Sequence, residues 1–194
     1  MRRGELLDAA RRVFERDGYH AATVSAIVQA AGLSQGAFYL YFPDKKAIFA
    51  ALQEEMATLL RRRIYWATRE EHDPRRRLEA GLLAYFGFYE EYQAWNRRLM
   101  TEGLGIDQSF EARQIDLYET LAGGFRPTMD ELEIGAPELA AAALIGMAAQ
   151  VAYWHYVQRP EQAADPATLA AACARLFLNG APSMPNPTQP EGGS

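Results

Sequence analysis

Gly32 to Phe42, GLSQGAFYLYF, is the stretch whose reading decides the fold. Its aromatic run from Phe38 has the composition of a β-strand, and Gly32-x-Ser34-x-Gly36 spells the nucleophile elbow of a serine hydrolase. The flanking sequence chooses between these readings. Upstream, Leu6, Leu7, Ala10, Val13 and Phe14 recur at helical spacing with Arg11, Arg12, Glu15 and Arg16 turned outward, and Gly18 is expected to end that helix. Thr23 is a natural N-cap for a second, short helix with an apolar face of Val24, Ile27, Val28 and Ala31, closed by Gly32. Ser34 can cap a third, and Pro43-Asp44 opens a long helical pattern from Lys45. A strand placed there would have no partner, because nothing else in the chain alternates with period two over several residues. The hydrolase alternative, with Ser34 as nucleophile and His72 or His155 as base, lacks the sheet that the elbow needs.

Wound as a helix, the stretch puts Phe38 and Phe42 on one stripe and turns Gln35, Gly36, Tyr39 and Leu40 away from it. Helix, tight turn and a second helix displaying small polar and aromatic side chains form a helix-turn-helix, whose second helix enters a DNA major groove. The residue types suit that task. Ser34 and Gln35 can donate and accept at base edges, and Gly36 admits the backbone close to the duplex. Tyr39 can meet a thymine methyl or a phosphate, while Tyr41 and Thr23 carry hydroxyls suited to phosphate oxygens. Lys45 and Lys46 are the only lysines in the chain. They fall together at the start of the next helix, where backbone N–H groups also favour a phosphate, and Lys45 is the expected anchor.

Composition agrees with a folded protein, and the net charge argues against generic nucleic-acid affinity. The chain has 194 residues, is 49% hydrophobic and carries a net charge of −5, enough to bury a core. Charge is uneven: residues 1–50 hold seven Arg and Lys against five Asp and Glu, and the remainder holds thirteen against twenty. No apolar run is long enough to span a bilayer, and MRRGELLDAARR has no signal-peptide core, so the cytoplasm is the expected location. The single cysteine, Cys173, excludes an intramolecular disulfide and a cysteine-based metal cluster, and is expected as a small buried residue. No cofactor or metal is expected.

Residues 5–52 carry Ala9-Ala10, Phe14, Gly18-Tyr19, Thr23, Ile27, Ala31-Gly32 and Gly36-x-Phe38-Tyr39-x-Tyr41-Phe42 before Lys45. In that order they resemble the N-terminal DNA-binding domain of the TetR family of bacterial transcriptional regulators. The resemblance implies DNA contacts at Thr23, Ser34, Gln35, Gly36, Tyr39, Tyr41 and Lys45. It also implies a homodimer and a small-molecule effector sensed in the body of the protein. Leu40 and Pro43-Asp44 depart from the family's pattern.

The rest is read by periodicity. Ile48, Leu52, Met56, Leu59 and Leu60 predict one long helix from Asp44 to about Arg69, a lever leaving the head. Asp73-Pro74 opens a helix to about Tyr92, and further helices are expected near 95–103 and 108–123, with Gly123-Gly124 and Arg126-Pro127 as loops. Pro137 opens a helix to about Gln158, and Pro166 the last, ending near Gly180. The expected organisation is all-α: a three-helix DNA-binding domain at 1–50, a ligand-sensing and dimerisation domain at 51–180, and a disordered tail at 181–194. Alanine-rich Leu139 to Val157 with Leu169, Leu176 and Phe177 can form half of an intermolecular four-helix bundle. Tyr85, Phe88, Tyr89, Tyr92, Trp95, Tyr118, Tyr153, Trp154 and His155 are the candidate effector contacts, apolar surfaces with a few orienting polar groups. The function these features suggest is a ligand-released repressor on a pseudo-palindromic operator. A protein-interaction module of the same fold without DNA binding is the other alternative.

Overall fold

Helical periodicity prevails: among the described residues every regular element is a helix and none is a strand. The computed structural model describes residues 2–102, 108–162 and 164–180; the tail at 181–194 lies outside the described residues. In chain order the α-helices are α1 Arg2–Ala21, α2 Val24–Ala31, α3 Gln35–Tyr39, α4 Lys45–Thr68, α5 Pro74–Glu91, α6 Gln93–Glu102, α7 Gln108–Glu131, α8 Pro137–Ala152 and α9 Pro166–Gly180. The all-α class expected from the sequence is the observed one.

Two expectations need correction. Gly18 bends α1 rather than ending it: at φ 77°, ψ 169° its backbone leaves the helical region, and one further turn runs to Ala21. Gly123-Gly124 and Arg126-Pro127 are not loops, because α7 continues through them with Pro127 inside the helix. Leu121, Phe125, Thr128 and Met129 are buried on one face while Gly123, Arg126 and Pro127 are exposed on the other. Burial on one side outweighs the rung that proline removes, and the carbonyl it leaves without a donor is on the solvent side. At its far end α8 gives way to π-helical turns over Tyr153–Gln158, closed by Arg159 N–H donating to the Trp154 carbonyl at 3.0 Å.

The described residues form two compact units. One contains 2–59 with those of 92–114, and the other 60–91 with those of 115–180. In the first, α1 buries Leu6, Leu7, Ala9, Ala10, Val13 and Phe14 and packs on α2 and α6; Ile27 and Val28 of α2, Phe38 of α3, and Ile48, Phe49 and Leu52 of α4 are buried in the same unit. Phe49 is its hub, with ring centroids of Phe14, Tyr19, Trp95 and Phe110 at 5.0, 4.9, 5.4 and 5.1 Å. Such aromatic pairs contribute about 0.5–1.5 kcal/mol beyond their burial. In the second unit α5 packs on α8 and α9, burying Leu82, Tyr85, Phe86 and Tyr89 together with Leu144, Ala148, Leu169 and Phe177. Cys173 is buried there.

Gly32 closes α2 in the left-handed region at φ 66°, ψ 30°, while Leu33 N–H donates to the Val28 carbonyl at 2.9 Å. A Cβ at Gly32 would meet nothing within 4 Å. The cost of Gly32→Ala is therefore backbone strain alone, about 1 kcal/mol. Thermal circular dichroism should show the midpoint falling by about 2–4 °C.

Candidate functional site

Two side-chain caps shape the head's outer surface. The Thr23 hydroxyl oxygen accepts from Ala26 N–H at 3.1 Å and starts α2; the Ser34 hydroxyl oxygen accepts from Ala37 N–H at 3.2 Å and starts α3. Each cap uses the oxygen and leaves the O–H proton available to an outside acceptor. Helix α3 is little more than one turn, with Phe38 fully buried, Ala37 and Phe42 buried, and Phe42 N–H donating to the Phe38 carbonyl at 3.0 Å. The opposite side carries Gln35, Gly36, Tyr39 (56% exposed), Leu40 (81%) and Tyr41 (43%), and Thr23 and Ser34 are exposed beside it. Six of the seven residues expected at a DNA surface thus stand exposed on the head.

Lys45, the seventh, is placed differently. Its ammonium is turned onto the end of α1, donating to the carbonyls of Tyr19 (2.6 Å), Ala22 (2.8 Å) and His20 (3.3 Å), and it lies 4.6 Å above the Tyr19 ring. All three ammonium protons are in use, and partial burial lowers its pKa from the ordinary lysine value. The N-terminus of α4 is likewise served from within, since the Asp44 carboxylate accepts from Ala47 N–H at 2.7 Å. Lys46, exposed at the next position, is the lysine facing outward. The sequence pattern marked the cationic pair; it did not mark which lysine the α1 carbonyls would claim. Replacing Lys45 by Met should lower the unfolding free energy by about 1–3 kcal/mol in urea titrations. The slope of log Kd against log salt for duplex DNA should stay unchanged, whereas loss of a phosphate contact would reduce it by about one.

Of the nine aromatic and histidine candidates for an effector site, Tyr85, Tyr89 and Tyr118 come together in the second unit. Trp95 belongs to the head unit, packed on Phe49, and Tyr92 lies in that unit beneath Arg11. Tyr85, Phe88 and Tyr89 are core: the Tyr85 and Tyr89 rings sit 4.7 Å apart, and burial raises both phenol pKa values. Tyr118 and Tyr153 are half-buried; Trp154 is exposed under Arg159 at 4.8 Å, edge-on to His155.

A cavity of about 250 Å³ lies elsewhere in the second unit. It is lined by Arg61, Ile64, Tyr65 and Thr68 of α4, Arg77 of α5, and Thr120, Leu121, Gly124, Phe125 and Thr128 of α7. Its walls are mainly apolar. Arg77 is neutralised by a double hydrogen bond to Glu131, both at 2.7 Å. One wall depends on a close approach: a Cβ at Gly81 of α5 would come within 2.5 Å of the Phe125 ring. The sequence signal for this cavity was Gly124, which reads as part of a break but instead leaves one position of the cavity wall without a side chain.

No strand precedes Ser34 among the described residues, so the hydrolase elbow is not formed. No cluster of three or more His, Cys, Asp or Glu there could hold a metal ion, and no helix is long and apolar enough to cross a membrane.

Comparison with known proteins follows the same lines. The TetR_N family, bacterial regulatory proteins of the tetR family, matches residues 6–52. The HTH-type transcriptional activator FasR of Mycolicibacterium smegmatis is 34% identical over 114 residues, covering 59% of this chain; the chain spans 52% of FasR. The nucleoid occlusion factor SlmA of Edwardsiella ictaluri is 30% identical over 132 residues, 67% of each protein. The structure of the regulator FadR from Bacillus subtilis in complex with stearoyl-CoA shares the fold, with a TM-score of 0.75 at 21% identity over 91% of this chain and 98% of that one. With a capped helix-turn-helix at residues 23–42, a family match across the head and a relative aligned over two thirds of its length, the chain belongs to the TetR family of bacterial transcriptional regulators.

Proposed function

We propose that this regulator binds a pseudo-palindromic operator as a homodimer and is released from it by a small apolar effector, acting as a repressor. The observation that carries the reading is the divided surface of residues 34–42, in which Phe38 and Phe42 are buried while Gln35, Tyr39 and Tyr41 are exposed. Base and phosphate contact is assigned to Thr23, Ser34, Gln35, Gly36, Tyr39 and Tyr41, and Lys45 is assigned to hold the head together. Recognition is assigned to residues 1–50, sensing and dimerisation to 51–180. One short helix makes too few contacts for tight specific binding, and two heads would meet successive major grooves about 34–36 Å apart. Exposed Leu139 on α8 and Leu176 on α9 support a second copy docking on that face.

The cavity between α4, α5 and α7 is the assigned effector site. At about 250 Å³ it falls just below the roughly 300–1,000 Å³ of sites for drug-sized ligands, which favours a compact apolar molecule. FadR's stearoyl-CoA makes acyl compounds the first class to try. Helices α4 and α7 both line the cavity, and both continue into the head unit, where they supply Phe49 and Phe110 to its aromatic core. A ligand that moves these helices therefore acts on the packing beneath the recognition surface. A coupling of about 1–3 kcal/mol changes operator affinity about 5–150-fold.

An operator selected from random duplexes tests the recognition surface. Tyr39→Ala, a change at an exposed residue, should weaken operator binding at least about tenfold in gel shifts, one good contact being worth about 1–3 kcal/mol, with the melting temperature unchanged. Full specific affinity in that variant would remove Tyr39 from the contact set. In vitro transcription from a promoter containing the operator then separates repression from activation.

The cavity is tested by filling it. A Cβ at Gly124 meets nothing within 4 Å, so Gly124→Leu should fold and gain about 0.5–1 kcal/mol of helix propensity. A short fatty acid, the compact apolar part of an acyl compound, supplied at about 100 times its Kd, should raise the wild-type melting temperature by about 5–10 °C. Gly124→Leu should abolish that shift. An equal shift in both proteins would place the ligand elsewhere.

A further inference from the structure

The bend in α1 leaves a broken hydrogen-bond rung, and two side chains of α6 fill it. In an unbroken helix Tyr19 N–H would donate to the Glu15 carbonyl. With Gly18 at φ 77° it does not; instead Tyr19 N–H donates to Glu102 Oε2 at 2.8 Å. The Glu15 carbonyl accepts from Arg98 Nε at 3.3 Å, and the Arg16 carbonyl from another Arg98 nitrogen at 3.1 Å. Arg98 and Glu102, one turn apart on α6, close the circuit with their own bond at 2.7 Å. The seat is tight: a Cβ on Gly18 would come within 2.6 Å of both Glu102 carboxylate oxygens.

We propose that Arg98 and Glu102 are positioning residues for DNA recognition, a clamp from α6 that sets the Gly18 bend and so the stance of α2 and α3. This rests on the DNA-binding reading given above. The bend is held from its other side by Lys45 on the carbonyls of Tyr19, His20 and Ala22. The last of these residues directly precedes Thr23, the cap of α2, and Lys45 is three residues past the buried Phe42. Two cations thus face the carbonyl end of α1, where its dipole favours positive charge, and the carboxylate supplies the acceptor that the freed N–H requires. The clamp also has a second connection. Glu91, just before α6, and Ile115, in α7, belong to the other unit. Helix α6 thus follows directly on α5, a covalent link between the units additional to α4.

The test compares Arg98→Gln, Glu102→Gln and the double variant with wild type on two probes at one salt concentration: the selected operator and a scrambled duplex of equal length. Each single change should lower operator affinity about tenfold and scrambled-duplex affinity by less than about twofold, and the double variant should be no worse than the weaker single, as for two members of one unit. Equal losses on both duplexes, additive losses, or no loss would overturn the clamp. Arg98→Lys, which keeps the charge but not the fork, should lose affinity by an intermediate factor. Hydrogen exchange supplies an independent reading: the Tyr19 amide should exchange faster in Glu102→Gln while amides of α8 do not change. An unchanged Tyr19 rate would remove the assigned bond. Failure of the wild type to prefer its operator over the scrambled duplex would instead overturn the DNA-binding reading on which the clamp depends.

Discussion

The recognition segment exists because Phe38 and Phe42 are buried. An isolated helix the length of α3, Gln35–Tyr39, is far too short to be stable, since nucleation costs more than one turn returns. The Ser34 cap and the insertion of Phe38, fully buried beside Phe42 at 5.9 Å between ring centroids, hold it in place. Because both phenylalanines face the core, Gln35, Tyr39 and Tyr41 have only the outside left to them. Display of the polar and phenolic groups is thus a consequence of packing, not a separate feature.

That packing extends beyond the first fifty residues. Phe49 gathers Phe14 and Tyr19 from α1, Trp95 from α6 and Phe110 from α7 into one aromatic core, and the polar clamp at Gly18 draws on α6 again. The head is therefore completed by a segment some fifty residues further along the chain than its own last helix start. A head built this way shares its stability with α4 and α7, which continue into the other unit. The cavity's walls belong to those same two helices and to α5, and Gly81 lets Phe125 lie close enough to form one of them.

Much of this was legible before any coordinates. Helical spacing located α1, α2 and α4; Thr23, Ser34 and Asp73 announced helix starts; and the TetR resemblance named the displayed residues. The failures have physical causes. Gly123, Gly124 and Pro127 punctuate a sequence locally, but Leu121, Phe125 and Met129 bury a continuous face that carries α7 through them. Aromatic clustering at Tyr85, Phe88 and Tyr89 marks a buried cluster, and burial and ligand lining ask for the same residue types.

By itself the sequence determined the all-α class, the helix-turn-helix and the side of α3 that faces outward, since capping, periodicity and burial of phenylalanine are short-range preferences written into neighbouring residues. Only the tertiary structure decided that Lys45 serves carbonyls rather than solvent, that Arg98 and Glu102 complete a rung broken 83 residues earlier, and that empty volume lies beside Gly124. Those outcomes depend on which distant groups arrive at unsatisfied polar atoms and unfilled space, and no local pattern encodes such a meeting.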